Sequence, residues 1–335
     1  MIPADLSRAV VRAVRRAVED GELSGPAPVR IVVERTRPGG VGEYASPVAL
    51  QLAKGTPHRP ADVARALASR LAVEPGITRV EVTGPGFLNF TLAPRPAAAL
   101  VREVLDRGPS YGFAAGAYEA AGAGDPAAGP RERVVAGAVA RIRASQALET
   151  APPHPAAPHT PAPPRAAPLA HRDLDAPARY GADAAAWAML TVPARETPHF
   201  GPGLLVQDDS NPFFQVRYAY TRARALTREA ARLGFRAEAG AEPGETGDDG
   251  RRLLALLADH PLVLDAAAHH GAPERLARHL VAVADALLDF QYRVLPTGDE
   301  KPSAAHRARL ALAEAAGTVL AGGLALLGMD APDFL

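Results

Sequence analysis

The sequence has 335 residues, which is enough for two modest domains that each bury a hydrophobic core. Its 37 basic and 37 acidic residues give a formal net charge of zero, which argues against strong non-specific binding to nucleic acid but allows a local basic patch. The chain contains no cysteine, which excludes disulfides, thiolate zinc sites and a thiol nucleophile. Because we find no apolar run of membrane-spanning length, we predict a cytoplasmic protein that does not contact a membrane.

Residues 1–108 predict an α+β domain with a small antiparallel sheet. Arginines spaced through the apolar residues of the first segment indicate an amphipathic helix and not a signal peptide. In chain order, periodicity predicts a helix over 3–20, a strand over 29–35, helices from 46 and over 60–73, strands over 77–83 and 87–92, and a helix over 95–108. In the first strand, Val29, Ile31 and Val33 alternate toward the core. The last two strands are joined by Gly84, Pro85 and Gly86.

Residues 109–177 predict a linker, because Gly/Ala-rich sequence over 116–129 and a proline-rich tract over 151–168 cannot sustain regular structure. Between these stretches, residues 131–149 favour a short amphipathic helix with Val135, Val139 and Ile142 on one face. The Pro-x-x-Pro spacing of the tract also leaves open a protein partner that reads proline-rich sequence, although a spacer is the simpler interpretation.

Residues 178–335 predict an all-helical bundle. The helices are expected near residues 212–233, 251–258, 261–269, 274–293 and 304–327. The first of them has Ser210 or Asn211 as its N-cap and Pro212 in its first turn. Its apolar face consists of Val216, Tyr220, Ala223, Leu226, Ala230 and Leu233. A second stripe consists of Arg217, Arg224 and Arg228, and it meets either water or an acidic partner.

Four short motifs resemble those of one enzyme family. In the first domain they are Tyr44, Ala45, Ser46, Ala49, Leu50, Leu52, Ala53 and Lys54, and then Gly84, Pro85, Gly86, Phe87, Asn89, Phe90 and Leu92. In the bundle they are Gly181, Ala182, Asp183 and Ala184, and then Asn211, Pro212, Tyr218, Ala219 and Arg222. They are similar to motifs of the appended N-terminal domain and the anticodon-binding domain of arginyl-tRNA synthetases. Gln215, Arg217 and Tyr220 depart from the family's pattern.

The resemblance implies that tRNA, and arginine tRNA in particular, is the partner of this chain. In the family the appended domain contacts the tRNA elbow and the helical bundle contacts the anticodon. The RNA-binding candidates that follow are Phe87, Asn89 and Phe90 in the first domain, and Arg217, Tyr218, Arg222, Arg224 and Arg228 in the second. Arginines pair with phosphates or stack on bases, and an exposed tyrosine stacks on an unpaired base.

The catalytic chemistry of that family has no counterpart in the sequence. None of the 10 histidines begins the His-x-Gly-His motif that holds ATP at a helix start. Residues 110–180 are too few and too proline-rich for a doubly wound nucleotide-binding domain. Adjacent His269 and His270 point about 100° apart on a helix, so they do not share a metal. We therefore predict no catalytic residue, no metal and no cofactor.

Three hypotheses about function remain. The leading one is a non-catalytic paralogue that binds tRNA as an accessory or regulatory factor, because both tRNA-contacting modules resemble the family. Net neutrality and the proline tract favour instead a protein-interaction module. The third is a split enzyme, in which a separate chain supplies the catalytic domain.

Overall fold

The computed structural model describes residues 3–24, 31–36, 39–54, 56–118, 128–148, 166–239 and 247–334. They belong to two compact units, Met1–Pro96 and Ala97–Leu335. The first contains α1 (Pro3–Glu19), β1 (Glu34–Arg35), β2 (Tyr44–Ser46), α2 (Val48–Ala53), α3 (Pro60–Leu71), β3 (Ile77–Thr83) and β4 (Phe87–Leu92). The second contains α4 (Ala97–Arg107), α5 (Pro130–Ser145), α6 (Ala176–Tyr180), α7 (Ala182–Leu190), α8 (Pro212–Arg232), α9 (Gly247–His270), α10 (Pro273–Phe290) and α11 (Ala304–Leu327). The predicted fold class, an α+β domain followed by a helical region, is confirmed.

The first unit is built on a four-stranded antiparallel sheet in the order β1-β2-β4-β3. Ile31 and Val33 are buried as predicted, but they lie just before strand β1, which consists of Glu34–Arg35 alone. Strand β2 was missed, because three residues are too few to display the period of two that identifies a strand. The predicted Val29 lies outside the described residues.

The hairpin of β3 and β4 has the predicted bounds and pairs Thr83 with Phe87. Gly86 has a φ of +140°, and a Cβ there would lie 3.0 Å from backbone atoms of Pro60. Only glycine fits both this backbone conformation and this close approach. The turn therefore holds the start of β4, including Phe87, against the first residue of α3.

The second unit is organised around α11, whose apolar residues are buried against α8, α10 and α4. This helix is long and apolar enough to pass for a membrane span, which contradicts the prediction that no apolar run reaches that length. Its most apolar window is 78% buried inside the protein. A window buried to this extent is typical of a core helix, and α11 packs as one within the second unit.

Part of the predicted linker is core. Helix α5 confirms the helix predicted near residues 131–149, and Val135, Val139 and Ile142 are buried in the same cluster as α8, α10 and α11. The two units divide after Pro96, so α4 also belongs to the helical unit, ahead of the boundary predicted at residue 108. The physical reason is that α4 and α5 each have an apolar face that α9 and α11 cover. Most of the proline tract lies outside the described residues, and so does its proposed partner site.

Three of the four arginines of α5 serve the fold. Arg131, which is only 1% exposed, donates to the backbone carbonyls of Ala167, Pro193 and Glu196. Two further arginines bind the carboxyl ends of other helices: Arg141 Nε donates to the Leu326 carbonyl at 2.9 Å, and Arg143 Nε donates to the Ala268 carbonyl at 3.2 Å. Burial lowers the pKa of all three guanidinium groups. Guanidinium groups engaged in this way are not available to RNA.

Candidate nucleic-acid interface

Helix α8 presents the candidate residues of the helical unit, and Asn211 fixes where it begins. The Asn211 side-chain oxygen accepts from the backbone N–H groups of Phe213 at 3.1 Å and Phe214 at 3.4 Å, which makes it the N-cap. Its side-chain amide donates to the carbonyls of Leu204 at 3.2 Å and Val206 at 2.8 Å. Asn211 thus joins the start of α8 to the preceding loop.

We expect Asn211→Ala to lower the free energy of unfolding by about 2 kcal/mol, because it removes a helix cap and leaves two partly buried carbonyls without their donor. Asn211→Asp keeps the cap oxygen but loses both amide donations, so its cost should be smaller. Urea unfolding of the three proteins measures both effects. Equal stabilities of the wild-type protein and Asn211→Ala would contradict this account.

Two aromatic rings stack on the surface of α8. The rings of Phe214 and Tyr218 lie 5.7 Å apart, with 14° between their planes, and Tyr218 is 41% exposed. Next to them, the guanidinium of Arg217 lies 5.4 Å from the ring centre of Phe213. Phe213 itself is buried against Trp187 in the core. The buried Phe213 ring therefore anchors the first turn of α8 in the core, whereas the Tyr218 ring of the stacked pair is open to solvent.

Arg222 is held in place by the residues that follow α10. Its Nε donates to the Gln291 side-chain oxygen at 2.6 Å. The neighbouring Tyr292 is 77% exposed, which makes it the most exposed aromatic side chain among the described residues. Arg222 is therefore fixed to the residue that precedes Tyr292, an exposed aromatic residue that sequence analysis did not select.

Arg224 and Arg228 contact residues near the end of the chain. Arg224 Nε donates to Asp333 Oδ1 at 3.0 Å, and the Arg228 guanidinium lies 4.5 Å from the ring centre of Phe334. Tyr220 also donates to Asp333 Oδ1, at 3.2 Å. Burial, together with the charge of Asp333, raises the pKa of the Tyr220 phenol, so this hydroxyl is a proton donor at neutral pH.

The candidates of the first unit differ in accessibility. Phe87 is 38% exposed at the hairpin and stays a candidate. Phe90 is fully buried in the core of the unit, so its ring does not reach the surface. Asn89 is almost as buried, and its amide donates to Thr83 Oγ1 at 2.7 Å. We therefore leave Phe90 and Asn89 out of the candidate interface, because their side chains serve the sheet.

Other differences from the sequence analysis have local or long-range causes. Leu233 was predicted on the buried face of α8, but it is 51% exposed because the helix ends at Arg232. Phe214 carried a usable signal, since it lies four residues before Tyr218 and so on the same face. No local sequence pattern could have predicted the contacts of Asp333 and Phe334 with α8, because more than a hundred residues separate the partners.

Comparison with known proteins agrees with this division of the chain. Residues 4–92 match the model of the arginyl tRNA synthetase N terminal domain, and residues 216–335 match the model of the DALR anticodon binding domain. This chain is an arginyl-tRNA synthetase-like protein. The matched regions contain β4 and nearly all of α8, the two elements that carry the candidate residues. Residues 93–215 separate them.

The chain is similar to curated bacterial arginine–tRNA ligases over about a third of its length. It is 52% identical over 115 residues to the protein of Frankia alni, covering 34% of this chain and 21% of that protein. It is 44% identical over 117 residues to the protein of Micrococcus luteus, covering 33% of this chain and 21% of that protein. The chain thus spans about a fifth of the length of the curated relatives it matches.

Among solved structures, the arginyl-tRNA synthetase of Thermus thermophilus is similar, with a TM-score of 0.63 and 15% identity over 100% of both chains. At that identity the similarity shows the fold alone. Within the described residues there is no group of three or more histidine, aspartate or glutamate side chains placed to hold a metal ion.

Proposed function

We propose that this chain is a non-catalytic RNA-binding protein that binds tRNA, with arginine tRNA preferred, as an accessory or regulatory factor in the cytoplasm. The observation that carries the proposal is the surface of α8. It combines a stacked aromatic pair, the half-buried Phe214 and the exposed Tyr218, with four arginines on the same helix: Arg217, Arg222, Arg224 and Arg228.

This combination suits single-stranded RNA. Every base has a π face, so an exposed aromatic ring binds an unpaired base, and guanidinium groups pair with the flanking phosphates. Because the whole chain has a formal net charge of zero, the attraction is local to this surface. A loop such as an anticodon, with its bases unpaired, has the matching chemistry.

The non-catalytic part of the proposal rests on residues 93–215. A nucleotide-binding domain of the doubly wound type needs a parallel sheet flanked by helices. The described residues between the two matched regions contain helices and no strand of such a sheet. Two of these helices, α4 and α5, are packed into the core of the helical unit.

Titration of purified protein with labelled arginine tRNA and with a second tRNA tests the function. We expect binding that weakens steeply between about 50 mM and about 200 mM salt, with the arginine tRNA bound more tightly. An absence of binding at both salt concentrations would overturn the RNA-binding function. Formation of arginyl-tRNA by the purified chain alone would overturn its non-catalytic character. Activity gained only on mixing with a second chain would favour a split enzyme.

Variants of α8 test whether the proposed surface is the one used. Tyr218→Ala should weaken tRNA binding about tenfold with little change in the salt slope, since it removes stacking. Arg222→Ala should weaken binding and lower the salt slope by about one, since it removes a phosphate partner. Tyr218→Phe, which keeps the ring, and Arg251→Ala, an exposed arginine of α9, are the matched controls. If the variants and their controls lose the same affinity for tRNA, the RNA does not bind at this surface of α8.

A further inference from the structure

Residues 332–334, called here the covering segment, lie along the arginine side of α8. Asp333 Oδ1 accepts from both Tyr220 Oη at 3.2 Å and Arg224 Nε at 3.0 Å. Thr221 Oγ1 lies 3.3 Å from the Pro332 carbonyl oxygen, which shares the hydroxyl proton with the nearer Arg217 carbonyl at 2.9 Å. One turn further along, the Phe334 ring lies over the guanidinium of Arg228. The segment thus contacts three successive turns of the helix.

The contacts of the covering segment are those that a nucleotide makes. An anionic oxygen between a phenol and a guanidinium has the surroundings of a bound phosphate oxygen. A flat ring on a guanidinium has the surroundings of a stacked base. The carboxylate of Asp333 and the ring of Phe334 therefore stand in for a phosphate and a base at neighbouring positions.

Building on the RNA-binding function proposed above, we propose that the covering segment is an internal competitor for RNA. It occupies a site formed by Tyr220, Arg224 and Arg228, and one nucleotide of a single-stranded loop, its phosphate and its base, displaces it. Within the part of the chain that the structure describes, Arg222 contacts Gln291 and Tyr218 stacks on Phe214, so the segment leaves both residues open to the incoming loop.

The covering segment is held weakly enough to be displaced. Arg224 and Asp333 are each about half exposed, with side-chain exposures of 49% and 48%, and exposed ion pairs of this kind contribute little. Phe334 is itself mostly exposed, which places its contact with Arg228 at the weak end for such pairs. Removing a competitor of that strength should raise the apparent affinity for RNA about three- to tenfold.

Asp333→Asn and Phe334→Ala test the proposal in the full chain. Each should bind arginine tRNA about three- to tenfold more tightly than the wild-type protein. Asp333→Asn should also steepen the salt slope by about one, because it releases Arg224 for a phosphate. Asp330→Asn is the matched control: it removes the same charge from an exposed position shortly before the segment, and it should change binding much less.

The Arg224→Ala background separates competition from a general effect of charge. If Asp333 acts by covering Arg224, then Asp333→Asn should no longer tighten binding once Arg224 is absent. Coupling of this kind is what a double-mutant cycle measures.

Each outcome is decisive. If the wild-type protein binds tRNA and Asp333→Asn behaves like Asp330→Asn, the segment is not a competitor, and the RNA-binding function stands. Weaker binding by Asp333→Asn or Phe334→Ala would mean that the segment assists RNA binding, which also overturns the proposal. If neither the wild-type protein nor any variant binds tRNA, the RNA-binding function itself fails, and competition fails with it.

Discussion

Replacing Gly322 with alanine should lower the free energy of unfolding by about 2 kcal/mol, although alanine is the better helix former. A Cβ at Gly322 would lie 2.6 Å from the backbone oxygen of Pro109 and 3.3 Å from its Cα. A backbone atom cannot rotate away as a side chain does, so α11 and the segment after α4 must separate. At an open helix position the same substitution would stabilise by up to about 1 kcal/mol, and the sign of the effect is therefore the test.

The neighbouring Gly323 provides the matched comparison. A Cβ at Gly323 would clash with the Leu280 side chain, most closely with Cδ2, so this clash is with atoms that a mutation can remove. Leu280→Ala alone should cost about 2–5 kcal/mol through the cavity it leaves. The double variant Leu280→Ala/Gly323→Ala should lose less free energy of unfolding than the two single variants together, because the clash is gone. Leu280→Ala should not reduce the cost of Gly322→Ala in the same way.

Urea unfolding measures the free energy of unfolding of each variant, and the slope m shows whether the transition stays two-state. Stabilisation by Gly322→Ala would mean that Pro109 does not rest on α11. The start of the segment predicted as a linker would then be free, as the sequence analysis expected, and the contact described here would be wrong.

Local patterns in the sequence were sufficient for much of the fold. The glycine–proline–glycine turn defined the β3–β4 hairpin within its true bounds, because turn chemistry and strand alternation are both properties of adjacent residues. The start of α8 could also be predicted, since asparagine is favoured at the N-cap and proline in the first helical turn, the positions of Asn211 and Pro212. Helix α5 was predicted from the spacing of its valines.

What the sequence did not disclose depends on contacts between distant residues. Arg131 looks like a surface residue in the sequence, yet it is buried because three backbone carbonyls from later segments surround its guanidinium. A composition rich in alanine, glycine and proline predicts a linker, but it does not reveal that part of the segment has a core to pack on. The same limit applies to the candidate site: Tyr218 and the arginines could be selected from their spacing, whereas the Asp333 and Phe334 contacts could not.

Acid should destabilise the helical unit before most carboxylates are protonated, because two histidines are buried between α9 and α10. The rings of His260 and His279 stack with centres 5.3 Å apart, and Tyr111 also stacks on His260, at 5.9 Å. His260 Nδ1 and His279 Nε2 have no hydrogen-bond partner among the described residues. Burial therefore favours the neutral form of both rings.

The direction of the pH dependence follows from the pKa values. Burial lowers the pKa of His279 from 6.5 to about 4, against the opposing charge of Asp259. Burial, and then the neighbouring His279, lowers the pKa of His260 well below 6.5. Between these folded values and 6.5 the unfolded chain binds more protons, so stability is fully present above about pH 6.5 and is lost as the pH falls. His279 alone should account for about 2 kcal/mol of that loss by pH 5.

Urea unfolding at pH 7.5, 6.5, 5.5 and 5 measures the loss, and aromatic replacements assign it. His279→Phe keeps a ring in the stack but cannot bind a proton, so its free energy of unfolding should fall about 2 kcal/mol less than that of the wild-type protein over this range. His171→Gln, at an exposed histidine, should leave the dependence unchanged. If His260→Phe and His279→Phe both keep the full wild-type dependence, the two imidazoles are hydrated or partnered in solution, and the burial of this histidine pair between α9 and α10 is wrong.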